Sequence, residues 1–147
     1  MMSFDLNQFI CFNFYNGWRE ITGFYKDTLG MDVTPQKVYV LEILDTKEKL
    51  TMNELSKKMN LDSSAVSTLI SRMEKKELVK RTHGTKDRRT VYVQLTAEGA
   101  KVRDTLRENF GTLTDNINEN ISEEDINKLQ EIVGKITENH KKLMDQS

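Results

Sequence analysis

The sequence predicts a mainly helical fold carrying one small antiparallel hairpin, and three observations predict it. Apolar residues recur at spacings of three and four over most of the 147 residues. Proline occurs once, at Pro35, so helices can run long. Near the middle, in RTHGTKDRRTVYVQLT (Arg81 to Thr96), the apolar period shortens from helical to alternating. Apolar residues make up 37% and charged residues 31%, enough for one core in a well-solvated helical chain. A single domain over residues 1–147 is expected.

The elements follow in order. From Asp5 to Leu29 the residues Leu6, Ile10, Phe14, Trp18, Ile21 and Tyr25 form one face of an amphipathic helix. GMDVTPQ breaks it, and Pro35 behind Thr34 suits the first turn of a second helix. Val38, Leu41, Ile43 and Leu44 carry that helix to about Asp45. TMNE, Thr51 to Glu54, has the capping-box pattern, with Leu55 and Met59 behind it. The next helix starts at Asp62, Ser63 and Ser64 and buries Val66, Leu69, Ile70 and Met73. LVKRT and TVYVQLT then read as two strands, with Val91, Val93 and Leu95 on one face and HGTKDRR as the tip between them. Helix, turn, helix and basic hairpin make a winged helix-turn-helix over residues 34–96. Thr96 caps a further helix bearing Val102, Leu106, Phe110, Leu113 and Ile117. SEED, Ser122 to Asp125, opens the last one, where Ile126, Leu129, Val133, Ile136, His140 and Leu143 form a seam. Neither terminal region, 1–33 or 97–147, has an obvious way to bury its stripe alone. We expect the two to pack together across a two-fold axis into a homodimer; an intramolecular bundle is the alternative.

Charge marks the same centre. The net charge is −2 over residues 1–49, +5 over residues 50–96 and −4 over residues 97–147. A basic centre between acidic ends suits a phosphate-binding surface, though a solvated face would give the same counts. The polar face of the 63–75 helix is Ser64, Ser67, Thr68, Ser71, Arg72 and Lys75, mostly short hydrogen-bonding groups. Set in the major groove of double-stranded DNA, Ser63, Ser64, Ser67, Thr68 and Ser71 reach base edges or phosphates, and Arg72 takes either. Thr51 and the N–H groups behind it suit a phosphate at a helix N-terminus. Lys57, Lys80, Arg81, Lys86 and Arg88 are assigned to the phosphate backbone. An acid, Asp87, stands between Lys86 and Arg88. A flexible arginine loses side-chain entropy on entering the minor groove, and a carboxylate two residues earlier can hold its guanidinium in advance. Asp87 therefore orients Arg89, the minor-groove probe.

Several strings then show a likeness. VTPQKVYVLEIL, LTMNELSKKMNLDSSAVSTLISRMEKKELVKR and KDRRTVYVQLTAEG resemble the second helix, the helix-turn-helix and the wing of the MarR family of bacterial transcription regulators. The wing pattern is Asp-x-Arg, an alternating strand and Leu-Thr, and the likeness spans nearly the whole chain. It implies an obligate dimer that binds palindromic operators, usually as a repressor, with Asp87 and Arg89 in the roles just given. Cys11, Phe12 and Tyr15, with Tyr25 further on, resemble the start of the family's peroxide-sensing branch. There a lone cysteine thiolate, held by tyrosine hydroxyls, is oxidised to release DNA. Tyr25 lies fourteen residues beyond Cys11, about 21 Å along one helix, so the two can meet only across a dimer interface. Pro35 stands where that branch has a second tyrosine, and Tyr39 is out of register, so one thiolate-stabilising hydroxyl is missing. Cys11 as a small core residue is the structural alternative.

A rival signal is a small aromatic ligand, with Phe14, Trp18, Tyr39 and Phe110 as candidate lining. His83 and His140 have no neighbours spaced as metal ligands, so neither a metal nor a cofactor is expected. A lone cysteine excludes an internal disulfide. No apolar run nears the ~20 residues of a membrane span, and MMSFDLNQF lacks a basic signal region, so a cytoplasmic protein is expected. Two other classes compete. A thiol-dependent enzyme using Cys11 would want a spaced histidine or acid beside it. A winged-helix module that binds protein would need neither Arg89 nor a serine-faced helix.

Overall fold

The computed structural model describes residues 5–30 and 32–146. Helix α1 spans Ile10–Leu29 and ends at Gly30, whose φ of +126° suits glycine. It starts five residues later than the periodicity suggests. Asp5 caps a separate 3-10 turn, Leu6–Gln8, by accepting from the Asn7 N–H, and Phe9 is extended. The side-chain amide of Asn13 donates to the carbonyls of Asn7 and Phe9 and stabilises that break.

Helix α2 spans Pro35–Ile43, with Pro35 in its first turn and Thr34 capping the Lys37 N–H as expected. It stops short of Asp45 because Leu44 is extended and the Asp45 carboxylate accepts from Thr46 and Lys47 N–H, closing a local turn. Strand β1, Leu50–Thr51, leads into α3, Met52–Met59, through a complete capping box between Thr51 and Glu54. Asn60 at φ +53° ends α3. Asp62 then caps α4, Ser63–Lys75, through the Ala65 N–H at 2.8 Å.

Strands β2, Val79–His83, and β3, Val91–Leu95, form the hairpin, and β1 adds to the far side of β3 to give the antiparallel order β1-β3-β2. Arg81 lies opposite Val93, and Leu50 pairs with Val93 from the other side. Strand β1 is an addition to the expected elements, because two residues carry no readable alternation. Helix α5, Ala97–Arg107, starts on the Thr96 cap. Gly99 lies so close to the Leu78 carbonyl that a Cβ there would clash with backbone, which lets α5 leave the sheet tightly. The single helix expected after Thr96 is two, α5 and α6, Phe110–Ile117. Between them Glu108 and Asn109 bond three residues back rather than four.

By compactness the chain divides into residues 1–113 and residues 114–147. The first unit holds the core: Val38, Val40, Leu41 and Leu44 of α2 with its end, Leu55, Val66, Ile70 and Met73 of the helix pair, Val79, Val93 and Leu95 of the sheet, and Leu106. Leu69 is only half-buried, at the rim of this core. In the second unit α7, Glu123–Asp145, opens on a capping box between Ser122 and Asp125 and buries none of its residues.

Candidate nucleic-acid interface

The site is built from two capped helices and a hairpin. Thr51 caps α3, Asp62 caps α4, and the hairpin turn carries the wing. One open cleft is lined by Thr51, Met52 and Asn53 from α3, Ser63 and Ser67 from α4, and Arg81, His83, Arg89, Thr90 and Val91 from the wing. The fold thus brings Thr51, Ser63, Ser67, Arg81 and Arg89 together. Ser64, Thr68 and Arg72 are exposed on α4, and Lys57, Lys80, Lys86, Arg88 and Asp87 are exposed around it. Asn53, His83 and Thr90 also line the cleft and escaped the sequence reading. Asn53, two residues behind a cap, carried a readable signal; the other two depend on strand pairing.

On the wing, the tip is closed by the Gly84 N–H to the Thr90 carbonyl at 2.9 Å and the Thr90 N–H to the Asp87 carbonyl at 3.1 Å. A Cβ on Gly84 would come within 2.6 Å of that Asp87 carbonyl, so the tip needs glycine. Oδ1 of Asp87 accepts from both the Arg89 backbone N–H, at 3.0 Å, and its Nε, at 3.3 Å. The Arg89 side chain remains 93% exposed. Holding it by Nε leaves both terminal nitrogens pointing their donors outward. An exposed pair of this kind contributes at most ~1 kcal/mol to stability. His83 Nδ1 lies 2.9 Å from the Arg88 carbonyl, and Lys49 Nζ sits 4.6 Å over the Tyr92 ring, bracing the base of the wing.

Arg81 is placed differently from the other cations. Its NH1 donates to the Ser71 hydroxyl at 3.0 Å, and its NH2 to the Ser67 carbonyl and hydroxyl at 2.9 and 3.2 Å. Glu74 accepts from the Arg81 N–H and lies 3.6 Å from NH1. Arg81 therefore joins the sheet to α4. Because Ser67 and Ser71 accept from it, each keeps its hydroxyl proton free to donate outward. The Ser64 hydroxyl donates to Asp62 at 2.8 Å, and Thr68 donates to the Ser64 carbonyl. Asp62 has its pKa lowered, first by the Ala65 N–H and then by the Ser64 hydroxyl, so the cap stays ionised. In the Thr51 capping box the Thr51 and Glu54 N–H groups are already taken, leaving those of Met52 and Asn53 in the first turn for an anion.

On α1, Cys11 is exposed and no hydroxyl among the described residues bonds its sulfur. Tyr15 is exposed, with its ring 6.3 Å from that of Phe12. Tyr25 packs half-buried against the core, and its pKa is raised by burial and by Tyr39. Phe14, Trp18 and Tyr39 are exposed, and Phe110 packs on the core. Among the described residues no group of three acids, histidines or cysteines stands close enough to hold a metal, and no helix is long and apolar enough to cross a membrane.

Residues 33–91 match the family model described as the MarR family. The chain is 31% identical over 140 residues to the HTH-type transcriptional regulator SarZ of Staphylococcus aureus strain MRSA252, covering 93% of this chain and 95% of that one. Its fold matches the PcaV transcriptional regulator of Streptomyces coelicolor in complex with its natural ligand, with a TM-score of 0.82 at 16% identity, over 94% of this chain and 98% of that one. It also matches a MarR mutant from E. coli complexed with operator DNA, with a TM-score of 0.75 at 22% identity, over 91% and 99% of the two chains. The two structural likenesses bear on the fold.

Proposed function

We propose that this chain, which belongs to the MarR family of transcriptional regulators, is a homodimeric, DNA-binding repressor that holds a palindromic operator and releases it on a signal. The observation that carries this reading is the wing. Asp87 holds an otherwise exposed Arg89 by its Nε beside a serine-faced helix. Helix α4 enters the major groove, with Ser63, Ser64, Ser67, Thr68, Ser71 and Arg72 toward bases and phosphates. Arg89 enters the minor groove. Thr51, Lys57, Lys80, Lys86 and Arg88 meet the backbone. Arg81 serves this surface by fixing α4 against the sheet. Two copies place two α4 helices on two half-sites, and the apolar stripes left exposed on α1 and α7 supply the dimer contact. The chain acts as a binder rather than an enzyme, in the cytoplasm where its DNA is.

A gel shift with genomic fragments at two salt concentrations tests the reading. A sequence-selective complex that weakens steeply with salt is the expected result; no complex at low salt overturns it. Footprinting on the chain's own promoter region then locates the operator.

The signal is oxidation of Cys11. The sulfur attacks the O–O bond of a hydroperoxide, keeps one oxygen as a sulfenic acid and releases the alcohol. An exposed thiol permits that access, and Tyr25 of a partner subunit supplies a hydroxyl the lone protomer lacks. Organic hydroperoxide should release wild-type protein from DNA, reductant should restore it, and Cys11→Ser should bind normally and ignore the oxidant. A second reading, a small aromatic ligand, is favoured by the exposure of Phe14, Trp18 and Tyr39. Equal insensitivity of both proteins to oxidant would remove Cys11 from the response and make that ligand the signal.

A further inference from the structure

A second cleft opens on the other flank of α4, between its C-terminal half and the start of α2. Asp32, Thr34 and Lys37 line one wall, Arg72, Lys75 and Lys76 the other, and Leu69 and Met73 the floor. Four cations face one acid. Lys76 reaches Asp32 at 3.5 Å, and both are well exposed.

Helix ends give the cluster two different meanings. Arg72 and Lys75 lie in the last turn of α4, where cations offset the helix's exposed carbonyls, so they explain themselves. Lys37 does not. It sits in the first turn of α2, where the helix end is already positive and no acid is present. It is half-buried, and Lys76 stands close enough that the two charges repel. Burial first and then Lys76 push the Lys37 ammonium pKa down, and Asp32, the one acid lining the cleft, offsets only part of this. A cation held at the wrong helix end beside a second cation, in an open cleft of about 470 Å³, is relieved by an anion.

We infer that this cleft receives a backbone phosphate of DNA flanking the half-site, held by Lys37 and Lys76. The inference rests on the DNA-binding reading above. Along α4, Lys75 falls on the same face as Ser64, Thr68 and Ser71, Arg72 lies at the edge of that face nearest α2, and Lys76 at the helix's C-cap continues that edge into the cleft. A helix lying in the major groove has a phosphate wall on each side. The wing and Thr51 meet one wall, and Lys37 with Lys76 meets the other. Asp32 is then a competitor that the phosphate displaces from Lys76.

The test uses the full-length protein and an operator duplex carrying single methylphosphonates across both flanks. Wild type should lose affinity severalfold where the neutral linkage removes the flanking phosphate. The Lys37→Gln, Lys76→Gln double variant should be indifferent to that position. Its slope of log K against log salt should fall by about 0.9 for each phosphate it no longer neutralises. Arg89→Ala should keep the wild-type sensitivity there, and Asp32→Asn should bind more tightly. Equal sensitivity of the double variant, or an unchanged salt slope, overturns the inference. So does movement of the Lys37 and Lys76 ammonium resonances by millimolar inorganic phosphate but not by duplex, which would mean a free anion. A wild type that binds no duplex overturns the DNA-binding reading along with it.

Discussion

Val93 and Leu95 on β3 are each 1% exposed, whereas Leu129 on α7 is 52% and Leu143 66% exposed. Both sets come from regular apolar patterns, one with a period of two and one with a mean period of 3.5. The sheet residues belong to one buried core with residues of α2, α3 and α4 of their own chain. The α7 stripe meets nothing of comparable extent within its own unit, and α1 presents Phe14, Tyr15 and Trp18 in the same way. Equal periodicity thus means different things in the two regions. In the winged part it records a contact already made; in the terminal helices it leaves apolar surface exposed, which the proposed dimer would cover.

The largest effect that would break this contrast comes from truncation before Ser122. It removes the seam from Ile126 to Leu143. Sedimentation should show monomers, and operator binding should vanish, because a monomer holds one half-site only. A truncated chain that still sediments as a DNA-competent dimer would show that α7 has no such role.

Point substitutions sharpen the contrast. Ile70→Ala empties part of a fully buried site, and unfolding should show a loss of about 2–5 kcal/mol that does not depend on protein concentration. Leu129→Ala should instead act through association, lowering the melting temperature most in dilute solution. Concentration-independent behaviour of both variants would erase the distinction.

The wing gives a smaller effect, confined to binding. Arg89→Ala should weaken the operator complex by about 1–3 kcal/mol with little change in folding. Asp87→Ala should weaken it less, although it removes a charge that phosphates repel. Tighter binding by Asp87→Ala would sink the orienting role. Lys86→Ala should weaken all sequences alike and flatten the salt dependence by about one counterion.

The smallest expected effect lies inside the winged unit. Arg107 forks onto Glu42 at 2.8 and 2.7 Å, and this hydrogen-bonded pairing lowers the Glu42 pKa. The pair's contribution is therefore present above the ordinary glutamate pKa of about 4.3 and is lost as pH falls through the lower folded value. Urea midpoints of wild type and Glu42→Gln should differ near neutrality and converge in acid. A constant gap down to about pH 3, below that glutamate range, would mean that charge is not the source.

Caps and periods were legible in the sequence because they are local. Thr34, Thr51, Asp62, Thr96 and Ser122 all accept the N–H bonds their positions suggest, since a cap needs only its own next three residues. The Asp87–Arg89 pairing was readable for the same reason, as a bond across two residues of one turn. Tertiary structure decided whatever depends on residues distant in sequence. It added β1 by pairing Leu50 with Val93, and it turned Arg81 onto Ser71 and Ser67, ten and fourteen residues away. It also set Lys37 beside Lys76 in one cleft. A charge count treats Arg81, Lys37 and Arg89 as the same cation. Which of them meets its own chain and which faces solvent follows from packing of the core beneath them, and no local pattern encodes that.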